Sequence, residues 1–142
     1  MRYMLIMRTP ADVEIPDDMD FTEIINAMGA YNESLIKAGV LLAGEGLADV
    51  SEGFVVDFDS TPPIVTDGPY AEPKELFAGV WIIQTSTKVE AAEWAKRCPL
   101  GPGTRLEVRR VTETEEFDQS NEWVQKEYEW REQLGTHHPV QA

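Results

Sequence analysis

The chain reads as an α+β protein, a ferredoxin-like split βαβ sheet with an extra hairpin and an appended C-terminal helix. Three observations predict this. The periodicity changes in the order β-α-β, hairpin, β-α-β, which is the split βαβ plan with one insertion. Two runs, Met4-Leu5-Ile6 and Val80-Trp81-Ile82-Ile83, are apolar at consecutive positions, as strands wanting cover on both faces are. Between them lies a structured, charged run, Val65-Thr66-Asp67-Gly68-Pro69-Tyr70-Ala71-Glu72-Pro73-Lys74-Glu75.

Residues 3–7 form the first strand, a short apolar run without helical spacing. An acidic, proline-containing connector, Thr9 to Asp20, leads to the clearest helix. There Phe21, Ile24, Ile25, Met28, Tyr31, Leu35 and Ile36 recur at spacings of three and four. Asp18 or Asp20 is available as its N-cap, and Gly39 stands at its stop. Val40-Leu41-Leu42-Ala43 begins the second strand, which Gly44-Glu45-Gly46-Leu47 is expected to end. Segments 53–58 and 63–66 read as a hairpin joined by the polar turn Asp59-Ser60-Thr61-Pro62. Residues 76–84 give the strongest strand signal. Ser86 or Thr87 then caps a second helix, Thr87 and Glu90 matching a capping box, with Val89, Ala92, Trp94 and Ala95 as its apolar side and Pro99 closing it. Residues 104–111 alternate as a half-exposed last strand does. Glu122 to Leu134 forms the C-terminal helix with Trp123, Val124, Tyr128 and Trp130 as its sticky side, and Gly135 to Pro139 reads as a frayed end.

Two helices cover only one face of a sheet, so the other face must meet something else. The simplest cover is a second copy, making a homodimer through the open sheet face. The rival is the C-terminal helix folding over the same chain's face; exchange of that helix between copies satisfies both. The expected division is 1–111 as the ferredoxin-like domain and 112–142 as an acidic helical extension.

Composition narrows the function classes. With 142 residues the chain is one domain. A net charge of −14 disfavours nucleic acid and anionic membrane surfaces, which would repel it. The single cysteine, Cys98, permits no internal disulfide and points to a reducing compartment. The apolar start, Met1 to Met7, is too short for a signal sequence or a membrane span, so a cytoplasmic location is expected.

The run from Val65 to Glu75 holds the candidate site. Asp-Gly-Pro demands an irregular backbone, which puts the charges on a structured loop beside a core strand. One cysteine and two adjacent terminal histidines are too few for zinc, so no metal is expected. No histidine lies in the core to activate a nucleophile, and Cys98 before Pro99 reads as a packed small side chain. No flavin, haem or nicotinamide signature is present, so no cofactor is expected. Acid–base chemistry by carboxylates remains. Asp67 is the first catalytic candidate, with Tyr70 as hydrogen-bond donor; Glu72, Lys74 and Glu45 are the substrate-binding candidates. The competing reading has Asp67 accepting backbone N–H bonds to hold its turn, and Glu72, Lys74 and Glu75 pairing with each other or with Arg109 and Arg110.

Thr66-Asp67-Gly68-Pro69-Tyr70-Ala71-Glu72-Pro73-Lys74-Glu75 resembles the signature loop of the small bacterial Asp-Gly-Pro-Phe proteins related to the YCII domain. Arg2-Tyr3-Met4-Leu5, Ala38-Gly39-Val40-Leu41, Gly44-Glu45-Gly46-Leu47, Ala92-Glu93-Trp94-Ala95 and Glu107-Val108-Arg109 agree with the same family. The resemblance covers about residues 1–111. It departs at Tyr70, which adds a hydroxyl where Phe is usual, and at Pro73, which stiffens the loop where Thr is usual. It implies the dimeric α+β barrel group, whose members include small monooxygenases, lactone isomerases and binding modules. Two functions follow as expectations. One is a small-molecule binder near the Asp67-Gly68-Pro69 loop, as a cofactor-independent isomerase or lyase with a carboxylate base. The other is a non-enzymatic regulatory module, since some relatives accompany alternative sigma factors.

Overall fold

The structure is a computed structural model describing residues 1–13, 17–68 and 74–136. Strand β1 (Arg2–Pro10) outruns its apolar segment, because Arg8, Thr9 and Pro10 keep pairing with the neighbouring strand after a register shift at Met7/Arg8. Helix α1 (Phe21–Lys37) starts at Asp20, whose side chain accepts the Thr22 N–H at 2.8 Å. It stops at Gly39, which takes the left-handed conformation (φ +70°) that glycine adopts without a Cβ penalty. Then come β2 (Leu41–Gly46), a 3-10 turn (Val50–Glu52), β3 (Phe54–Asp57), β4 (Ile64–Asp67) and β5 (Glu75–Gln84). Helix α2 (Lys88–Lys96), β6 (Arg105–Arg110), a second 3-10 turn (Thr114–Glu116) and α3 (Glu122–Gln133) complete the chain.

Four strands make one antiparallel sheet in the order β2-β5-β1-β6, and β3 with β4 form a separate two-stranded hairpin. This is the ferredoxin-like α+β architecture with the hairpin inserted between β2 and β5. Leu5, Leu35 and Ile83 are fully buried between the sheet and the helices, with Tyr3, Tyr31, Val40, Trp81 and Ala91 around them. The Tyr31 hydroxyl donates to the Trp94 carbonyl at 3.0 Å, and burial pushes its phenol above the ordinary value. Its ring meets Trp81 edge-on, 5.9 Å between centroids.

The structure corrects expectations in α2 and α1 and refines one in β2. β2 ends at Gly46, within the expected segment, and stays paired up to that point, Gly44, Glu45 and Gly46 lying opposite Trp81, Val80 and Gly79. Gly44 serves close approach here, since a Cβ on it would sit 3.1 Å from the Trp81 ring. In α2 the buried face centres on Ala91, with Trp94, Ala95 and Cys98 packed against the core, while Val89 is exposed. The capping box also closes one residue early: Thr87 accepts the Glu90 N–H, but the Glu90 carboxylate accepts from Ser86. In α1 only Tyr31 and Leu35 are buried, and Phe21, Ile24 and Ile25 stand in solvent. Helical spacing reports which face is apolar, not how many turns the sheet reaches.

Alternation along the strands puts Met4, Ile6, Val80 and Ile82 on the face away from α1 and α2. Helix α3 lies over one end of that face without sealing it. Arg2, Leu42, Ala43 and Ile82 on the sheet side, and Trp130, Arg131 and Leu134 on the helix side, enclose a gap of about 480 Å³. No α3 residue is buried, and its two tryptophans, Trp123 and Trp130, lie 6.3 Å apart against each other.

The segment leading to α3 is fastened by ion pairs. Glu116 pairs with Arg110 (Nη2–Oε2 2.8 Å) and accepts the Glu113 N–H at 2.9 Å. The Arg110 hydrogen bond, then that backbone bond, hold the Glu116 carboxyl down at about 2, against an ordinary 4.5. A carboxyl depressed by folding stabilises the fold fully above its unfolded value and loses that effect as pH falls through the folded one. The latch therefore weakens between pH 4.5 and about 2. A carboxyl-carbon NMR titration should place the Glu116 midpoint near 2, and Arg110→Met should return it towards 4.5.

Candidate functional site

Two recesses flank the end of β2. The first lies between α1 and the sheet and measures about 240 Å³. Met7, Met28 and Trp81 supply soft, apolar walls, and Gly44, Gly46 and Gly79 leave the space open. A Cβ on Gly79 would come within 3.1 Å of the Glu45 carbonyl, so glycine lets β2 and β5 run close at this point. Asn32 is the polar group of the recess. Its Oδ1 accepts the Trp81 indole N–H at 2.9 Å, which fixes the amide and leaves its NH2 to donate.

The second recess, about 310 Å³, lies at the foot of the hairpin against Leu47, Val50, Gly53, Leu76 and Phe77. Gly68 closes this corner. Its N–H donates to the Gly53 carbonyl at 2.9 Å, and a Cβ there would fall 1.9 Å from the Val50 carbonyl oxygen. The glycine of Asp-Gly-Pro is thus required by contact with the 3-10 turn.

The residues singled out from sequence are distributed around these recesses. Asp67 ends β4, opposite Phe54, with an exposed side chain, and is not among the residues lining either recess. Glu45 borders the first recess, yet it pairs with Val80, so alternation sets its side chain on the open sheet face and its main chain against the recess. Lys74 is exposed just ahead of β5. Tyr70 and Glu72 lie outside the described residues. Glu75 pairs with Arg8 and, at 3.7 Å, with Arg105, in place of Arg109 or Arg110. Cys98 is partly buried and burial pushes its thiol up to about 11, which keeps it protonated at neutral pH, as a packed side chain would be.

Asn32 escaped the sequence reading although a signal for it existed. Met28, Tyr31, Asn32 and Leu35 occupy i, i+3, i+4 and i+7, so this amide sits within the apolar stripe of α1. A polar residue there needs a buried partner or a ligand.

Among the described residues no group of three or more histidine, cysteine or acidic side chains could hold a metal ion. No helix among them is long and apolar enough to cross a membrane.

Fold and recesses together define a ferredoxin-like α+β domain with a glycine-lined hollow between its first helix and its sheet. The chain belongs to the YCII-related domain family, whose model matches residues 1–115. No curated protein matches it significantly.

Proposed function

We propose that this protein binds a small organic molecule in the recess between α1 and the sheet. The observation that carries this is Asn32: a half-buried amide, held by the Trp81 indole, faces a hollow otherwise walled by methionine, tryptophan, glycine and Glu45. An apolar body with one carbonyl-type acceptor suits such walls, since few polar groups then orient the ligand. The volume, about 240 Å³, is at the small end of ligand sites and selects compact molecules.

Gly46 offers the test, because a Cβ there meets nothing within 4 Å and a larger side chain would grow into open space. Thermal-shift titrations with phenol, benzamide and δ-valerolactone should stabilise the wild type. Gly46→Leu should fold normally and lose at least about fivefold in affinity, roughly 1 kcal/mol. Equal binding by both proteins would place the ligand elsewhere.

A catalytic alternative, seated at the Asp67-Gly68-Pro69 loop in place of the α1 recess, is an isomerase or lyase in which Asp67 takes a proton from carbon beside a carbonyl, with Tyr70 donating to the oxygen. Glu45, Glu72 and Lys74 would contact the substrate. Asp67→Asn should then abolish turnover with little loss of stability, whereas a purely structural loop would only loosen. A second reading, a regulatory module for transcription machinery, is favoured by the apolar hairpin left exposed at Phe54, Phe58 and Ile64. It expects Gly46→Leu to leave function untouched.

The open face carries a further part of the proposal. Met4, Ile6, Val80 and Ile82 are apolar, and α3 stands off from them, so a second copy of the chain covers the remainder in a homodimer. The same reading places the protein in a reducing cytoplasm.

A further inference from the structure

Helix α3 holds its shape with little help from the sheet. Asn121 caps it at 2.9 Å, Glu127 and Arg131 pair one turn apart, and the Lys126 ammonium sits over the Trp123 ring, 4.3 Å from its centroid. None of its residues is buried, so the apolar edge formed by Trp130 and Leu134 stays wet above Ile82 and Ala43. The family match ends at residue 115, so the gap that α3 roofs is not a feature of the shared domain. This gap lies on the opposite face of the sheet from the α1 recess. At about 480 Å³ against about 240 Å³ it has room for a larger body.

Its polar groups are two guanidiniums and their partners. Arg2 donates from Nε and Nη2 to Glu113, and Arg131 donates from Nε and Nη2 to Glu127. Nη1 of each arginine lies outside these forks. The Arg2 side chain is only 10% exposed, yet among the described residues no enclosed side-chain nitrogen lacks a partner, so its Nη1 keeps an opening. Both arginines border the gap. Charge balances there, Arg2 and Arg131 against Glu113 and Glu127, so neither an anion nor a cation meets an excess of opposite charge. What remains is donor capacity beside apolar walls, which suits an uncharged acceptor oxygen.

We propose that the gap beneath α3 binds an uncharged, two-ring aromatic carbonyl compound, its rings between Trp130 and Ile82 and its oxygen accepting from Nη1 of Arg2 or Arg131. Filling the gap dries Trp130, which is 45% exposed, and gives its ring a stacking partner from the ligand. The site needs neither the α1 recess nor a second copy of the chain.

A ¹H–¹⁵N titration of the full chain with 2-acetonaphthone tests it. The Trp130 indole N–H and the Ala43 and Ile82 amides should shift along one saturating curve. Ala43 pairs with Ile82 and is exposed, so Ala43→Leu grows into the gap without disturbing the core. Ala43→Leu and Trp130→Ala should each weaken binding at least about fivefold. Naphthalene, which lacks the oxygen, and 2-naphthoate, which adds a charge, should bind at least about threefold more weakly than the ketone. Shifts at Trp81 and Asn32 with Trp130 unmoved would seat the rings in the α1 recess and overturn the proposal. So would spectra unchanged up to saturation with the ketone, or wild-type affinity in either variant. Naphthalene binding as tightly as the ketone overturns the part given to the guanidiniums, and tighter binding of 2-naphthoate overturns the uncharged class.

Discussion

Gly68→Ala should detach the foot of the hairpin from the domain. The added methyl would lie 1.9 Å from the Val50 carbonyl oxygen, a contact no real Cβ makes, and the atom in the way is backbone. Relief requires moving either the 3-10 turn Val50–Glu52 or the end of β4, which breaks the Gly68 N–H to Gly53 carbonyl bond of 2.9 Å. Overpacking into backbone sits at the upper end of its usual range, about 3 kcal/mol, or roughly a hundredfold in an opening equilibrium. The loss should be local. Hydrogen exchange should quicken at Gly68 and along the hairpin ladder, while β1 and β5, which hold the fully buried Leu5 and Ile83, keep their protection. Uniform loss across the molecule would mean that the hairpin and the main sheet unfold as one unit.

Glu113→Ala should cost about 3 kcal/mol of global stability, because it strands a buried cation. The Arg2 guanidinium forks onto the Glu113 carboxylate, with Nε 3.0 Å and Nη2 2.8 Å from Oε2, and the two side chains are only 10% and 13% exposed. This pair ties the first strand to the segment after the last one, across 111 positions of sequence. Removing the carboxylate alone leaves the arginine facing Ile82 and the gap beneath α3. Replacing both partners by apolar residues of similar size, Arg2→Met with Glu113→Leu, should recover most of the loss, since no charge is then left unpaired. Urea denaturation of the two variants measures both effects. A double variant as unstable as Glu113→Ala would show that the pair holds the segment by geometry more than by charge.

Much of the architecture could be read from local rules. Asp20, Gly39 and the Thr87–Glu90 pair mark helix ends through side-chain oxygens and a positive φ, and those depend on neighbours in sequence. The consecutive apolar residues at 4–6 and 80–83 announced a sheet with two faces to cover. What failed depended on distant partners. The backbone freedom of Gly44 was legible, but its role in making room for Trp81, 37 positions further along the chain, was not. The α2 face turned on Ala91, which a hydrophobicity pattern ranks below Val89. The hairpin's alternation is the same whether its faces are covered or bare, so its exposure was not legible. The candidate site divided in the same way. Asp-Gly-Pro marked the corner correctly as irregular backbone, but the hollow walled by Met7, Met28 and Trp81 draws on three separate elements and has no motif.

The most direct test of ligand binding in the α1 recess is a ¹H–¹⁵N correlation spectrum of the full chain titrated with benzamide. The Trp81 indole N–H and the Asn32 side-chain amide should move together, with the backbone amides of Gly44 and Gly79, along one saturating curve. Shifts confined to the indoles of Trp123 and Trp130, with Trp81 and Asn32 unmoved, would contradict it.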